Sequence, residues 1–156
     1  MPQGQGLSVP HPLSDVIVQE INWVEKNYRA DPERCYLTGF SYGGSSTWAM
    51  AEQFPERFAA IVPLSAREAP NPEHAPEILK NMGVWCGVGS DDGEFKDACG
   101  KMNDIFTAAK HPNFHYSFIK GGQHHCYQSI YGNPELWKWL LAQRRKVTAE
   151  NPPASK

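Results

Sequence analysis

Arg34-Cys35-Tyr36-Leu37-Thr38-Gly39-Phe40-Ser41-Tyr42-Gly43-Gly44, running on into Thr47-Trp48-Ala49-Met50-Ala51, is the stretch on which the reading of this chain turns. Residues 34 to 39 are short, rich in strand-favouring side chains and almost free of charge, the pattern of a strand covered on both faces. The residues after Gly44 read as a helix that Phe54-Pro55 ends. Between them Gly39, Ser41 and Gly43 form G-x-S-x-G. A Gly-rich turn alone would account for the bare pattern; its setting between strand and helix gives it chemical meaning. A serine on such a tight turn needs small neighbours on either side, and its oxygen then projects above the sheet beside a helix N-terminus. The amide of Tyr42, next in the chain, is then placed to donate to an oxyanion.

Outward from this stretch the same alternation repeats. Upstream, Ser14 or Asp15 can cap a helix whose Ile17, Ile21, Val24 and Tyr28 form one apolar stripe expected to face a core, stopped by Asp31-Pro32. Downstream, Phe58 to Leu64 and Val84 to Val88 are further continuous apolar runs, separated by a connection containing Pro70, Pro72 and Pro76. Glu77 to Lys80 adds a helical turn. Ala98, Met102, Ile105, Phe106 and Ala109 mark a helix of about four turns from Phe95, closed by His111-Pro112. Phe114 to Ile119 is a fourth strand. Asn133-Pro134-Glu135 has the cap and first-turn proline of a last helix carrying Leu136, Trp137, Leu140 and Leu141. Unalternated strands between helices imply an α/β fold, a mostly parallel sheet of about four to five strands with helices on both faces. Residues 1–146 are expected to form one domain with an irregular lead-in over 1–12, and 147–156 a polar tail.

In parallel sheets, chemistry gathers in the loops beyond the carboxyl ends of the strands. A serine hydroxyl is a poor nucleophile unless a base takes its proton, and the loop after the fourth strand offers Gly121-Gly122-Gln123-His124-His125. His11, His74, His111 and His115 lie in the lead-in, the Pro-rich connection, a helix end and a strand. The imidazole must also be held in one tautomer by a carboxylate; the loop after the third strand supplies Asp91 and Asp92. The residues alone leave His124 or His125, and Asp91 or Asp92, open. A metal site built from Asp91, Asp92, His124, His125 and Cys126 is disfavoured, because adjacent loop residues point in divergent directions and no ligand spacing of a known kind is present. No metal or cofactor is expected.

Composition narrows the partners. The chain has 156 residues, 40% hydrophobic and 12% aromatic, enough for one core. Fifteen Lys plus Arg against seventeen Asp plus Glu leaves a formal charge of -2, which speaks against nucleic acid or anionic membrane and for a small molecule. No run of residues is long and apolar enough to span a bilayer. Met1 to Pro12 lack the features of a secretory signal, so a cytoplasmic location is the default expectation. Cys35, Cys86, Cys99 and Cys126 form no C-x-x-C pair and are expected as free thiols packed in the core.

Asp31-Pro32-Glu33-Arg34-Cys35-Tyr36-Leu37-Thr38-Gly39-Phe40-Ser41-Tyr42-Gly43-Gly44, with Trp48 and then Pro55-Glu56-Arg57-Phe58-Ala59-Ala60-Ile61-Val62-Pro63, resembles the α/β-hydrolase serine esterases. More narrowly, residues 14 to 145 are similar to the feruloyl esterase, polyhydroxybutyrate depolymerase and phospholipase/carboxylesterase-like group, some members of which are labelled peptidases. The order Ser, Asp, His along the chain is that of the α/β-hydrolases. The resemblance implies Asp92 as the acid, in the register set by Trp85 and Gly89, although Val88 stands where the group often has His. Tyr131, Asn133-Pro134-Glu135-Leu136 and Trp139-Leu140 match the group downstream of its catalytic His and select His124. Asp91 and His125 are second choices. It also implies an eight-stranded sheet, of which these four strands correspond to the last four, so the chain reads as a truncated α/β-hydrolase whose first strand is an edge. Such an edge favours pairing with a second copy, and a homodimer is expected. The second oxyanion amide of the group comes from its front half; losing one donor costs about 2.7–4 kcal/mol unless the lead-in, a partner subunit or a side chain such as Tyr42 or Gln123 replaces it. The expected function is hydrolysis of short-chain or aryl esters by Ser41, His124 and Asp92. The alternative is a hydrolase-like fragment that binds a partner or an ester-like ligand without turnover.

Overall fold

The computed structural model describes residues 14–145; the lead-in over 1–12 and the tail over 147–156 lie outside them. Four strands, β1 (Tyr36–Phe40), β2 (Ala60–Leu64), β3 (Gly83–Gly89) and β4 (Phe114–Ile119), form one sheet in the order β1-β2-β3-β4. Every neighbouring pair is parallel. β2 and β3 are buried along their whole length, whereas β1 and β4 are half-buried edges. The first strand therefore starts two residues later than its composition suggested. Asp31 caps a 3-10 turn over Pro32–Arg34, and that turn takes Arg34 out of the strand.

Pro63 lies inside the central strand β2, where a residue without an N–H interrupts a ladder. The β2–β3 register accordingly holds Ile61↔Val84 and Leu64↔Gly87 with no partnered pair between them. Strand alternation divides the interior into two layers. Ile61, Val84, Cys86 and Val88 face Trp48 and Met50 of α2 (Tyr42–Gln53) together with Cys99, Met102 and Phe106 of α4 (Gly93–Ala108). On the other side Ala60, Val62, Leu64 and Trp85 face Ile130 of α5 (Tyr127–Tyr131) and Leu136 and Leu140 of α6 (Pro134–Ala142). Helices thus cover both faces of the sheet, the second of the two covers being α5 and α6. At the start of α6 the side chain of Asn133 accepts from the Glu135 amide at 3.0 Å, as the sequence indicated. The helical turn in the Pro-rich connection is α3, Ala75–Ile78, two residues ahead of its expected place because Pro76 sits in its first turn.

The first helix, α1 (Ser14–Asn27), departs from expectation. Ile17, Val24 and Tyr28 are 40%, 41% and 63% exposed, and only Ile21 of the expected stripe packs on the core, beside Val18. The buried residues of α1 are Ser14 and Glu25. Glu25 is held by an ion pair with the equally buried Arg57, N to O 3.0 Å, and Arg57 also donates to Asn22 at 2.8 Å. The inward side of α1 thus runs through Ser14, Val18, Ile21 and Glu25, about a sixth of a revolution from the centre of its apolar stripe. A groove of 710 Å³ lies between α1 and β1, the outer strand of the described sheet, lined by Val16, Ile17, Ile21, Val24, Cys35 and Tyr36 among others. All four cysteines are free thiols, and all but Cys35 are buried.

Candidate active site

The parallel register brings the carboxyl ends of the strands to one side of the sheet, and the loops leaving them meet there. Immediately after β1, Ser41 adopts φ 57 and ψ -120, a conformation that a residue with a Cβ takes only under constraint. Its amide donates to the Leu64 carbonyl at the end of β2 (2.9 Å), and its carbonyl accepts from the Ser45 amide one turn on (3.0 Å). The turn demands glycine at particular places. A Cβ on Gly39 would stand 2.2 Å from the Gly43 carbonyl oxygen, and one on Gly44 would stand 2.6 Å from that of Leu64. A Cβ on Gly43 would meet nothing within 4 Å. The glycine that the turn needs downstream of Ser41 is therefore Gly44, not the last glycine of the motif, because the turn packs its third following residue, not its second, against the end of β2.

The loops after β3 and β4 are bound to each other through their backbones. Ser90 donates to the Ile119 carbonyl at 2.9 Å and Asp91 to the Gly122 carbonyl at 2.8 Å. The Ser90 hydroxyl accepts from the Gly121 amide at 2.8 Å. Gly89 has no room for a side chain, since its Cβ would lie 2.1 Å from the Gly122 oxygen. This clasp sets Asp92 against His124: the Asp92 carboxylate oxygen Oδ1 is 2.8 Å from His124 Nδ1. On the far side of the ring, His124 Nε2 is 2.9 Å from Ser41 Oγ. Ser41, His124 and Asp92 thus form one hydrogen-bonded chain across three loops. Asp92 is 6% exposed, and its second oxygen has no partner among the described residues, so its charge is directed at the imidazole.

The second-choice residues stand apart from this chain. Asp91 is exposed and accepts from the Ser90 hydroxyl at 2.8 Å. His125 is exposed, with its ring 6.0 Å from those of Phe40 and Tyr127. His124 and Cys126 belong to a 3-10 turn, His124–Cys126, that runs into α5, where the sequence suggests a loop because these turns are too short to show a period. Two rings that no sequence motif singles out flank the imidazole of His124: Phe40 at 4.7 Å, from the end of β1, and Phe95 at 4.8 Å, from the first turn of α4. The Arg67 guanidinium lies 5.8 Å from the Phe95 ring. Burial pushes the Cys126 thiol up, so that it stays protonated beneath the site.

Tyr42 opens α2, so its amide is one of the first-turn donors that no intrahelical carbonyl satisfies. Its side chain is exposed. Gln123 is also exposed, and its carbonyl accepts from the Cys126 amide at 3.0 Å. Chemically the arrangement offers a hydroxyl whose proton has an acceptor at hydrogen-bond distance, a base whose other nitrogen faces a buried carboxylate, and a helix N-terminus alongside.

Solved structures share this architecture. A thermostable esterase superposes with a TM-score of 0.68 at 26% identity, over 83% of this chain and 36% of its own. The S-formylglutathione hydrolase of Staphylococcus aureus gives 0.62 at 18% identity, over 84% and 61%. A ferulic acid esterase gives 0.63 at 16%, over 81% and 61%. The chain spans about a third to three-fifths of the length of these structures. A comparison with the curated proteins finds no match. The model of the Esterase family matches residues 10–145, and the chain belongs to that family.

Proposed function

We propose that the chain is a serine ester hydrolase of short-chain or aryl carboxylic esters, working through an acyl-enzyme. Ser41 Oγ attacks the acyl carbonyl while His124 Nε2 takes its proton, giving a tetrahedral oxyanion beside the Tyr42 amide. His124 returns that proton to the departing alkoxide, and the acyl group stays on Ser41. Water then attacks the acyl carbon with His124 again as base, releasing the carboxylic acid and restoring the serine. Asp92 keeps the Nδ1 proton in place and balances the imidazolium. The observation that carries this reading is the chain of two short hydrogen bonds, 2.8 and 2.9 Å, ending on a serine in a strained turn. Membership of the Esterase family agrees with it.

Ser41→Ala is expected to abolish turnover of p-nitrophenyl acetate, and turnover unchanged from the parent would refute the assignment. Labelling by a fluorophosphonate separates hydrolysis from ligand binding without turnover, because only an activated serine labels. We also propose a second copy of the chain as the partner of the β1 edge, supported by the exposed Val16, Ile17 and Trp23 of α1, and Tyr28 just after it, beside strand backbone that pairs with no other strand on that side among the described residues. Sedimentation at micromolar concentration is expected to give a dimer; a monomer at every concentration would remove the proposal. No described helix is long and apolar enough to cross a membrane.

A further inference from the structure

Among the described residues three side-chain-bearing positions have positive φ: Ser41, Ser65 and Lys110. Lys110 lies just beyond α4, and Ser41 is the proposed nucleophile. Ser65, with φ 45, is completely buried and follows directly on β2, the one strand whose carboxyl end the proposed chemistry leaves unused. A buried residue with a Cβ holds such a conformation only where its surroundings impose it, and such residues concentrate at functional sites.

The turn at Ser65 ties four consecutive residues, Leu64 to Arg67, to the turn of Ser41, to the turn of His124, and to β3 and α4 on either side of the Asp92 loop. The Leu64 carbonyl accepts from the Ser41 amide at 2.9 Å, and the Ser65 amide donates to the Gly87 carbonyl of β3 at 2.8 Å. The Ser65 hydroxyl donates to the His124 carbonyl at 3.4 Å and lies 3.3 Å from Cys126 Sγ. The Ala66 carbonyl accepts from Cys99 Sγ at 3.4 Å, on the helix that begins beside Asp92. The Arg67 amide donates to the Ser45 hydroxyl at 3.1 Å, one turn beyond Ser41. With an extended backbone at residue 65 the chain would continue out of the sheet, and these bonds could not all form.

We propose that Ser65 is a positioning residue for the Ser41–His124 pair, its left-handed turn and its hydroxyl fixing the loop of the base against the turn of the nucleophile. The inference rests on the hydrolase reading above. A small displacement of the imidazole lowers the rate of proton transfer but leaves substrate binding alone, so the effect falls on kcat and not on KM.

Two variants test it. Ser65→Gly removes the hydroxyl and relieves the backbone, whereas Ser65→Ala removes the hydroxyl and keeps the Cβ. Both are expected to lose about tenfold in kcat on p-nitrophenyl acetate with KM within about twofold of the parent, and to label with a fluorophosphonate about tenfold more slowly. The thermal midpoint of Ser65→Gly is expected to be no lower than that of the parent. Parent-like kcat and labelling in both variants would overturn the assignment, and so would activity that falls only in proportion to folded protein. If the parent labels and the variants label equally fast, Ser65 alone is misassigned; if the parent does not label, the hydrolase reading fails and takes this inference with it.

Discussion

Exchanging Gly44 for alanine probes the nucleophile turn at the point where structure and motif differ. The new Cβ would lie 2.6 Å from the Leu64 carbonyl oxygen, 3.0 Å from the Ala66 Cβ and 3.1 Å from the Gly39 carbonyl oxygen. Two of these three atoms are backbone, so no flexible side-chain tip can yield. The Leu64 oxygen is also the acceptor of the Ser41 amide, and pushing it away weakens that bond. Overpacking of this kind costs about 1–3 kcal/mol and a net hydrogen bond about 0.5–1.5 kcal/mol. Removing a helical glycine returns about 0.5–1 kcal/mol. The balance is a loss of about 2 kcal/mol, or a fall of about 4–8 °C in Tm for a chain of this size. Gly43→Ala is the internal control: its Cβ meets nothing within 4 Å, so only the helix-propensity gain remains and Tm is expected to rise by about 1–4 °C. Thermal denaturation followed by circular dichroism reads both, and fluorophosphonate labelling of Gly44→Ala is expected to slow about tenfold. The reasoning is wrong if Gly44→Ala matches the parent in both assays, or if Gly43→Ala is as destabilised as Gly44→Ala.

Two further predictions concern the imidazoles. Asp92→Asn leaves an amide where the buried carboxylate now faces His124 Nδ1 at 2.8 Å; kcat is expected to fall by about 10⁴-fold with little change in KM, and a loss of less than tenfold would show that Asp92 does not orient the base. His115 stacks on Trp85 with ring centroids 4.7 Å apart, and partial burial holds its imidazole below the ordinary histidine value of 6.5. Between the folded and the ordinary value the unfolded chain binds more protons than the folded one, so this group's contribution to stability falls as pH drops below about 6.5. Tm measured from pH 5 to 7.5 is expected to show a smaller acid-side slope in His115→Gln than in the parent, and equal slopes would count against it.

How much of this was legible in the sequence depends on how local the signal is. The nucleophile turn is written in consecutive residues, since glycine, serine and glycine between an apolar run and a helix describe a strand-to-helix turn without reference to the rest of the chain. The capped and proline-initiated start of α6 is equally local. Apolar periodicity failed at α1 because a buried ion pair, Glu25 with Arg57, outweighed the stripe of Ile17, Val24 and Tyr28, and Arg57 is contributed from beyond α2. The choice between Asp91 and Asp92, and between His124 and His125, lay beyond what the residues alone could decide, because adjacent positions in a loop differ only in direction.

From the residues alone follow an alternating α/β chain, the turn that carries Ser41 and the two loops that hold the candidate base and acid. Those properties follow from local preferences: strand and helix periods, turn chemistry and the place of loops in parallel sheets. Which member of each loop pair faces the other is a matter of tertiary structure, because the Ser90–Ile119 and Asp91–Gly122 backbone bonds clasp the two loops and set Asp92 against His124. Tertiary structure also decides that Gly44 and not Gly43 is sterically required, and that Ser65, with no motif of its own, is bonded both to β3 and to the turn that carries His124. These depend on contacts between residues distant in the chain, which no local pattern encodes.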